Sequence, residues 1–140
     1  MKLLIWASAG LLLLACSGPE PEHQLLFENA WVRAMPPGSM MTAGFGRLVN
    51  KSGKDLEIST YTSPQFEEVS LHRTIEEDGI SRMKSVPVLK IPAGTELVLA
   101  PGGFHLMFMG PVDEIEQVIW IHIELTDGRQ FSFELPVERR

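Results

Sequence analysis

The chain has 140 residues, a formal net charge of −6 and a single cysteine. That length suits one domain with a genuine hydrophobic core. The acidic balance, with no Lys/Arg cluster, argues against a nucleic-acid partner. One cysteine excludes a disulfide scaffold, a thiolate zinc site and an iron–sulfur cluster.

Met1-Lys2 is a short basic start, Leu3 to Leu14 is an apolar run, and Leu13-Leu14-Ala15-Cys16 closes it. This reads as a secretory signal, too short and too abruptly ended for a spanning helix. Cys16 sits where a bacterial lipoprotein signal places the residue that is lipidated and becomes the new N-terminus. An ordinary signal with a chance cysteine is the plainer alternative, but a lone thiol outside the cell would be prone to oxidise. The expected organisation is a signal at 1–15, a lipidated cysteine and polar spacer at 16–24, and a folded domain at 25–140. Loss of Lys2 and of no acid takes the mature charge from −6 to −7.

From Leu25 onward, short runs of alternating apolar residues are separated by turn residues. Strands are expected at Leu25 to Arg33, Thr42 to Asn50, Leu56 to Tyr61, Glu68 to Glu76, Ile80 to Val86, Glu96 to Leu99, Phe104 to Gly110, Gln117 to Leu125 and Gln130 to Val137. Met35-Pro36-Pro37-Gly38, Pro92-Ala93-Gly94 and Pro101-Gly102-Gly103 break the chain, and Asp78-Gly79 is a strong hairpin signal. Val112 to Gln117 has room for a single helical turn at most. Many short strands with Gly/Pro punctuation indicate an all-β fold, an antiparallel β-sandwich or barrel.

The chemistry concentrates between Val69 and Gly110. His72, Met83, His105 and Met107 lie there, and imidazole with thioether is a donor set that favours soft ions, above all Cu(I). If Asp78-Gly79 is a two-residue loop, Thr74 lies opposite Met83 and His72 is diagonal to Met83 on the same face, roughly 7–8 Å away. A four-residue loop would put His72 directly opposite Met83, while a three-residue loop would send the two to opposite faces. His105 and Met107 are two apart, so on a strand both point the same way, with Leu106 and Phe108 turned to the core. Two local pairs, each of one nitrogen and one sulfur, then form a His₂Met₂ site.

Other candidates are weaker. Met109 shares the face of His105 and Met107 and is an auxiliary sulfur candidate. Met35, Met40 and Met41 flank the Pro-Pro-Gly loop; they are a candidate second soft-metal patch, with core or loop packing the favoured reading. His122 is expected on an exposed face with Trp120 and Glu124, and His23 falls in the spacer. Glu76, Glu77 and Asp78 read as a solvated turn, and Phe104, Leu106 and Phe108 as a shielding apolar rim.

The spacing His-x10-Met-x21-His-x-Met, present as His72, Met83, His105 and Met107, resembles the signature of the periplasmic copper chaperone family called PCuAC. Ala30-Trp31-Val32-Arg33-Ala34-Met35-Pro36-Pro37-Gly38 and Pro101-Gly102-Gly103-Phe104-His105-Leu106-Met107-Phe108-Met109-Gly110 are similar to that family too. The resemblance covers about Asn29 to Pro136. It implies a cupredoxin-like β-sandwich that binds Cu(I) outside the cytoplasmic membrane and passes it to respiratory oxidase assembly, notably the dinuclear CuA centre. The chain departs from the family in two expected ways: a lipid anchor where many relatives are soluble, and no His/Met-rich tail of the kind some carry.

The expected function is therefore a monomeric periplasmic Cu(I) chaperone, membrane-anchored through Cys16, whose partner is an oxidase subunit or its assembly factor. An electron-transfer cupredoxin would require a cysteine thiolate in the fold. An enzyme is not expected, since no G-x-S-x-G, H-E-x-x-H or Ser/His/Asp grouping is present. A metal-free binding or structural lipoprotein, and a general copper storage or tolerance protein, are the alternatives.

Overall fold

The structure is a computed structural model that describes residues 24–115 and 117–140. The signal-like segment, Cys16 and His23 lie outside the described residues.

Ten strands follow one another: β1 (Leu25–Arg33), β2 (Met41–Asn50), β3 (Leu56–Ser63), β4 (Phe66–Glu77), β5 (Ile80–Ser85), β6 (Leu89–Ile91), β7 (Glu96–Leu99), β8 (Phe104–Pro111), β9 (Val118–Leu125) and β10 (Gln130–Glu138). They form one sheet in the order β5-β4-β8-β7-β2-β1-β10-β9-β3-β6, and a β3–β4 pairing closes it into a barrel. β5 and β6 hang from the ring as outer strands. Most neighbours are antiparallel, as the alternation predicts, but β1 with β10 and β7 with β8 run parallel. The three-residue β6 is the one strand that the alternation does not predict, being too short to establish a period. The described part of 112–117 bends without a helical turn.

Alternation decides what is buried. In β9, Ile119, Ile121, Ile123 and Leu125 are interior while Trp120 and His122 face out. Each such side chain contributes about 1.5–3 kcal/mol on burial, and together with Leu71, Leu106, Phe108, Leu135 and others they make one core. Buried Asn50 donates from Nδ2 to the carbonyls of Lys54 and Ile91 at 2.8 and 2.9 Å, and its Oδ1 accepts from the Ser52 backbone N–H. It is thus a satisfied polar clasp between β2 and the turn after β6.

Two local features position the strands of interest. Asp78 and Gly79 both have positive φ, 54° and 74°, the conformation of a type I′ hairpin turn whose twist matches that of flanking strands. β4 and β5 are therefore joined by a two-residue loop with Glu77 opposite Ile80 and Thr74 opposite Met83. At Gly44 of β2 a Cβ would stand 2.8 Å from the Phe108 ring. The missing side chain lets β8 seat that ring in the core directly beneath β2.

Candidate metal centre

β8 runs between β4 and β2, and its register with β4 sets the site. His72 lies directly opposite His105, Ser70 opposite Met107, and Glu68 opposite Met109. Directly opposed residues project from the same face, so the His72 and His105 rings come together with centroids 6.1 Å apart and planes at 64°. Met83 is diagonal to His72 across the β4–β5 hairpin. The structure thus brings three sequence-predicted donors, His72, His105 and Met107, onto adjoining strands of one face, with Met83 on the next strand out.

The histidines are not surface residues that happen to meet. His105 is only 4 % exposed. Its Nδ1 is 3.1 Å from the Gly103 carbonyl oxygen; a carbonyl only accepts, so Nδ1 carries the proton and Nε2 holds the free lone pair. That Nε2 is buried without a hydrogen-bond partner among the described residues, and so is Nδ1 of His72. Arg47 Nε, Tyr61 Oη and Ser70 Oγ are also buried without a partner among the described residues, but only the two imidazole nitrogens lie on directly opposed residues, and leaving them unpartnered is costly. Burial, reinforced by the charge of neighbouring His105 and opposed by Glu68, pushes the His72 imidazole below its ordinary 6.5. The site thus favours the neutral, ligating form of His72.

A cavity of about 370 Å³ opens onto this face. Its walls include His105, Met107 and Met83, and also Met41, Phe45 and Arg33. Phe45 is backed by Trp31, ring centroids 4.8 Å apart, and the Arg33 guanidinium lies 5.2 Å over the Phe45 ring. Met83 is 61 % exposed and Met41 53 %. Among the described residues no three His, Cys, Asp or Glu side chains converge, and the thioethers of Met83, Met107 and Met41 stand beside His105 on the cavity wall.

Several expectations change. Leu106 and Phe108 are fully buried in the core, so they form no rim; Phe104, on their side of β8, packs under the Arg73 guanidinium. Met41, Phe45 and Pro36 border the cavity in their place. Met40 and Met41 are exposed rather than packed, whereas Met35 leans on the core. Met109 sits opposite Met41, one row beyond Met107, and does not border the cavity. His122 is exposed, its Nδ1 2.7 Å from the Ser132 hydroxyl. Glu77, in the solvated turn, pairs with Lys84 at 2.8 Å. The sequence reading missed Met41 as a cavity residue; its two-residue spacing from Ala43 and Phe45 on one face of β2 was the available signal.

The barrel and the opposed histidine strands define the class, a cupredoxin-like β domain of the PCuAC type. The copper-bound PCuAC domain of PmoF2 superposes with a TM-score of 0.68 at 16 % identity, over 84 % of this chain and 94 % of that one. Cu(I)-bound DR1885 of Deinococcus radiodurans superposes with a TM-score of 0.65 at 31 % identity, over 84 % of this chain and 83 % of its own. At the level of sequence families, the chain belongs to the family described as "Putative lipoprotein LpqE-like", which matches residues 25–137. A curated relative, "Putative lipoprotein Lxx21020" of Leifsonia xyli subsp. xyli, is 36 % identical over 113 residues, covering 79 % of this chain and 67 % of the relative.

Proposed function

We propose that this chain is an exported, lipid-anchored Cu(I) carrier that holds one ion between His72, His105, Met83 and Met107 and gives it up to respiratory oxidase assembly, the CuA centre in particular. The observation that carries the reading is the pair of buried, unpartnered nitrogens, His72 Nδ1 and His105 Nε2, on directly opposed strand positions. An ion about 2.0 Å from a nitrogen of each ring would separate the centroids by roughly 5–6 Å, against 6.1 Å here. The copper-bound relatives supply the second support: DR1885 holds Cu(I), and PmoF2 is described with copper.

The donor set suits carriage. Neutral thioethers and imidazoles bind Cu(I) without a thiolate to lock it in place, and a partner's ligand can replace a methionine stepwise. The histidines anchor the ion and the methionines select for Cu(I). Lipidation at Cys16 would keep the carrier at a membrane, in line with its lipoprotein relatives.

Anaerobic titration of the purified protein with Cu(I), followed by metal analysis, tests the reading. One tightly bound equivalent is expected; no stoichiometric uptake would leave a metal-free binding protein as the answer. For the anchor, Cys16→Ser should abolish lipid labelling. A mature, lipid-labelled membrane species from that variant would remove the lipoprotein assignment.

A further inference from the structure

We propose that Met41 is a transfer residue of the cavity, an outer thioether that takes Cu(I) at the mouth and exchanges it with the inner set. The proposal rests on the copper reading above and goes beyond its four ligands.

Three observations point to Met41. It borders the same cavity as His105, Met107 and Met83, yet it is 53 % exposed. A long apolar side chain gains by hiding from water, and here it stands at the opening instead. The β2–β8 register places Ala43 opposite Met107 and Met41 opposite Met109, so Met41 is diagonal to Met107, roughly 7–8 Å away and within reach of a thioether with three rotatable bonds. The small side chain of Ala43, directly facing Met107, leaves room for Met41 to lean inward.

Strand order supplies the third argument. β5, β4, β8 and β2 follow one another across this face, since β8 also pairs directly with β2. The two inner strands carry His72, His105 and Met107. Each outer strand carries one exposed methionine bordering the cavity, Met83 on β5 and Met41 on β2. The walls therefore present a landing sulfur on either side of buried His105, with half-buried His72 opposite it on β4. Among the described residues no carboxylate borders the cavity, and the Arg33 guanidinium does. Hard divalent ions find no oxygen ligand of matching charge there, while a soft monovalent ion finds sulfur.

The step is ligand exchange. A bond from Cu(I) to the Met41 sulfur forms as the bond to a donor molecule, or to Met83, breaks. Copper stays Cu(I) and no proton moves, because a thioether is neutral before and after. A residue that acts only along the path lowers the barrier in both directions and leaves the equilibrium constant in place.

The test uses the full chain, purified anaerobically in detergent and loaded with one equivalent of Cu(I). Met41→Leu keeps the apolar volume and removes the sulfur, a swap that folds tolerate well. Met40→Leu is the control, since Met40 is the somewhat more exposed neighbour that does not border the cavity. Stopped-flow transfer to and from bicinchoninate should slow about tenfold in Met41→Leu, with the competition-derived affinity within about threefold of the parent, and stay at the parental rate in Met40→Leu. Parental transfer rates in Met41→Leu would overturn the proposal and leave the copper reading intact. So would an affinity loss in Met41→Leu as large as that in Met107→Leu, which would make Met41 a resident ligand. Failure of the parent protein itself to take up Cu(I) would remove the copper reading, and the proposal with it.

Discussion

The two halves of the candidate site sit in unlike surroundings. His72 and His105 belong to β4 and β8; β8 has hydrogen-bonded neighbours on both sides, and its residues between Phe104 and Gly110 sit half-buried or deeper. Met83 belongs to β5, an outer ribbon paired only with β4 and exposed at all six of its positions. The nitrogens are held in register by sheet hydrogen bonds on either flank, while the sulfur of Met83 rides on an edge. On the proposed reading, retention would fall to donors inside the sheet and release to the donor at the rim, where a partner could displace it.

The largest expected effect falls on the inner half. His105→Ala removes a buried nitrogen and should lower Cu(I) affinity by about a hundredfold or more, read by competition with a Cu(I) chelator. The contrast between interior and edge would collapse if Met83→Leu cost as much.

The methionines come next. Met107→Leu, inside the sheet, should weaken Cu(I) binding by about tenfold and Met83→Leu by less, with Zn²⁺ binding little changed in either because thioethers contribute mainly to soft ions. Parallel competition titrations with the two metals measure this. Equal losses for both metals, or loss of the β-sheet circular dichroism signal, would assign these methionines to packing.

Acidity should act through the histidines. Burial first, and the neighbouring His105 second, hold the His72 imidazole below 6.5 in the folded protein. A lowered folded-state value means that folding favours the neutral ring. That contribution to stability is present above about pH 6.5, the unfolded value, and is lost as pH falls through the lowered one. Protons compete with metal for the same lone pair, so Cu(I) affinity should stay level down to about pH 6.5 and decline below it. The part of that decline carried by His72 should approach about one decade per pH unit well below its lowered value and should be absent in His72→Ala. Chelator competition between about pH 5 and 8 reads the slope. An affinity independent of pH throughout would exclude imidazole ligands.

The smallest effect belongs to the hairpin that carries Met83. A Cβ at Gly79 would meet nothing within 4 Å, so Gly79→Ala is penalised only by its positive φ, at about 1 kcal/mol. Urea unfolding of the metal-free protein measures it. A drop in Cu(I) affinity far beyond that of Met83→Leu would show that the turn also maintains the register of the inner strands.

Much of this arrangement was legible along the chain because it is local. The period of two in β4, β8 and β9 separates core from surface residue by residue. Asp-Gly can supply two positive φ angles in succession, so the β4–β5 register follows from two residues at 78 and 79. The same parity puts His105 and Met107 on one face before any partner strand is known.

What only the tertiary structure decided is non-local. That β8 docks against β4, with His72 opposite His105 across more than thirty residues of intervening chain, depends on how the barrel closes around its core. No local period encodes which strands become neighbours. The parallel pairing of β1 with β10 and the place of the short β6 have the same origin. So does the role of Met41: from the chain alone an exposed methionine beside Pro-Pro-Gly looks like loop packing. Only the pairing of β2 with β8 brings its sulfur to the mouth of the histidine cavity, because proximity across a sheet is set by closure of the whole ring of strands.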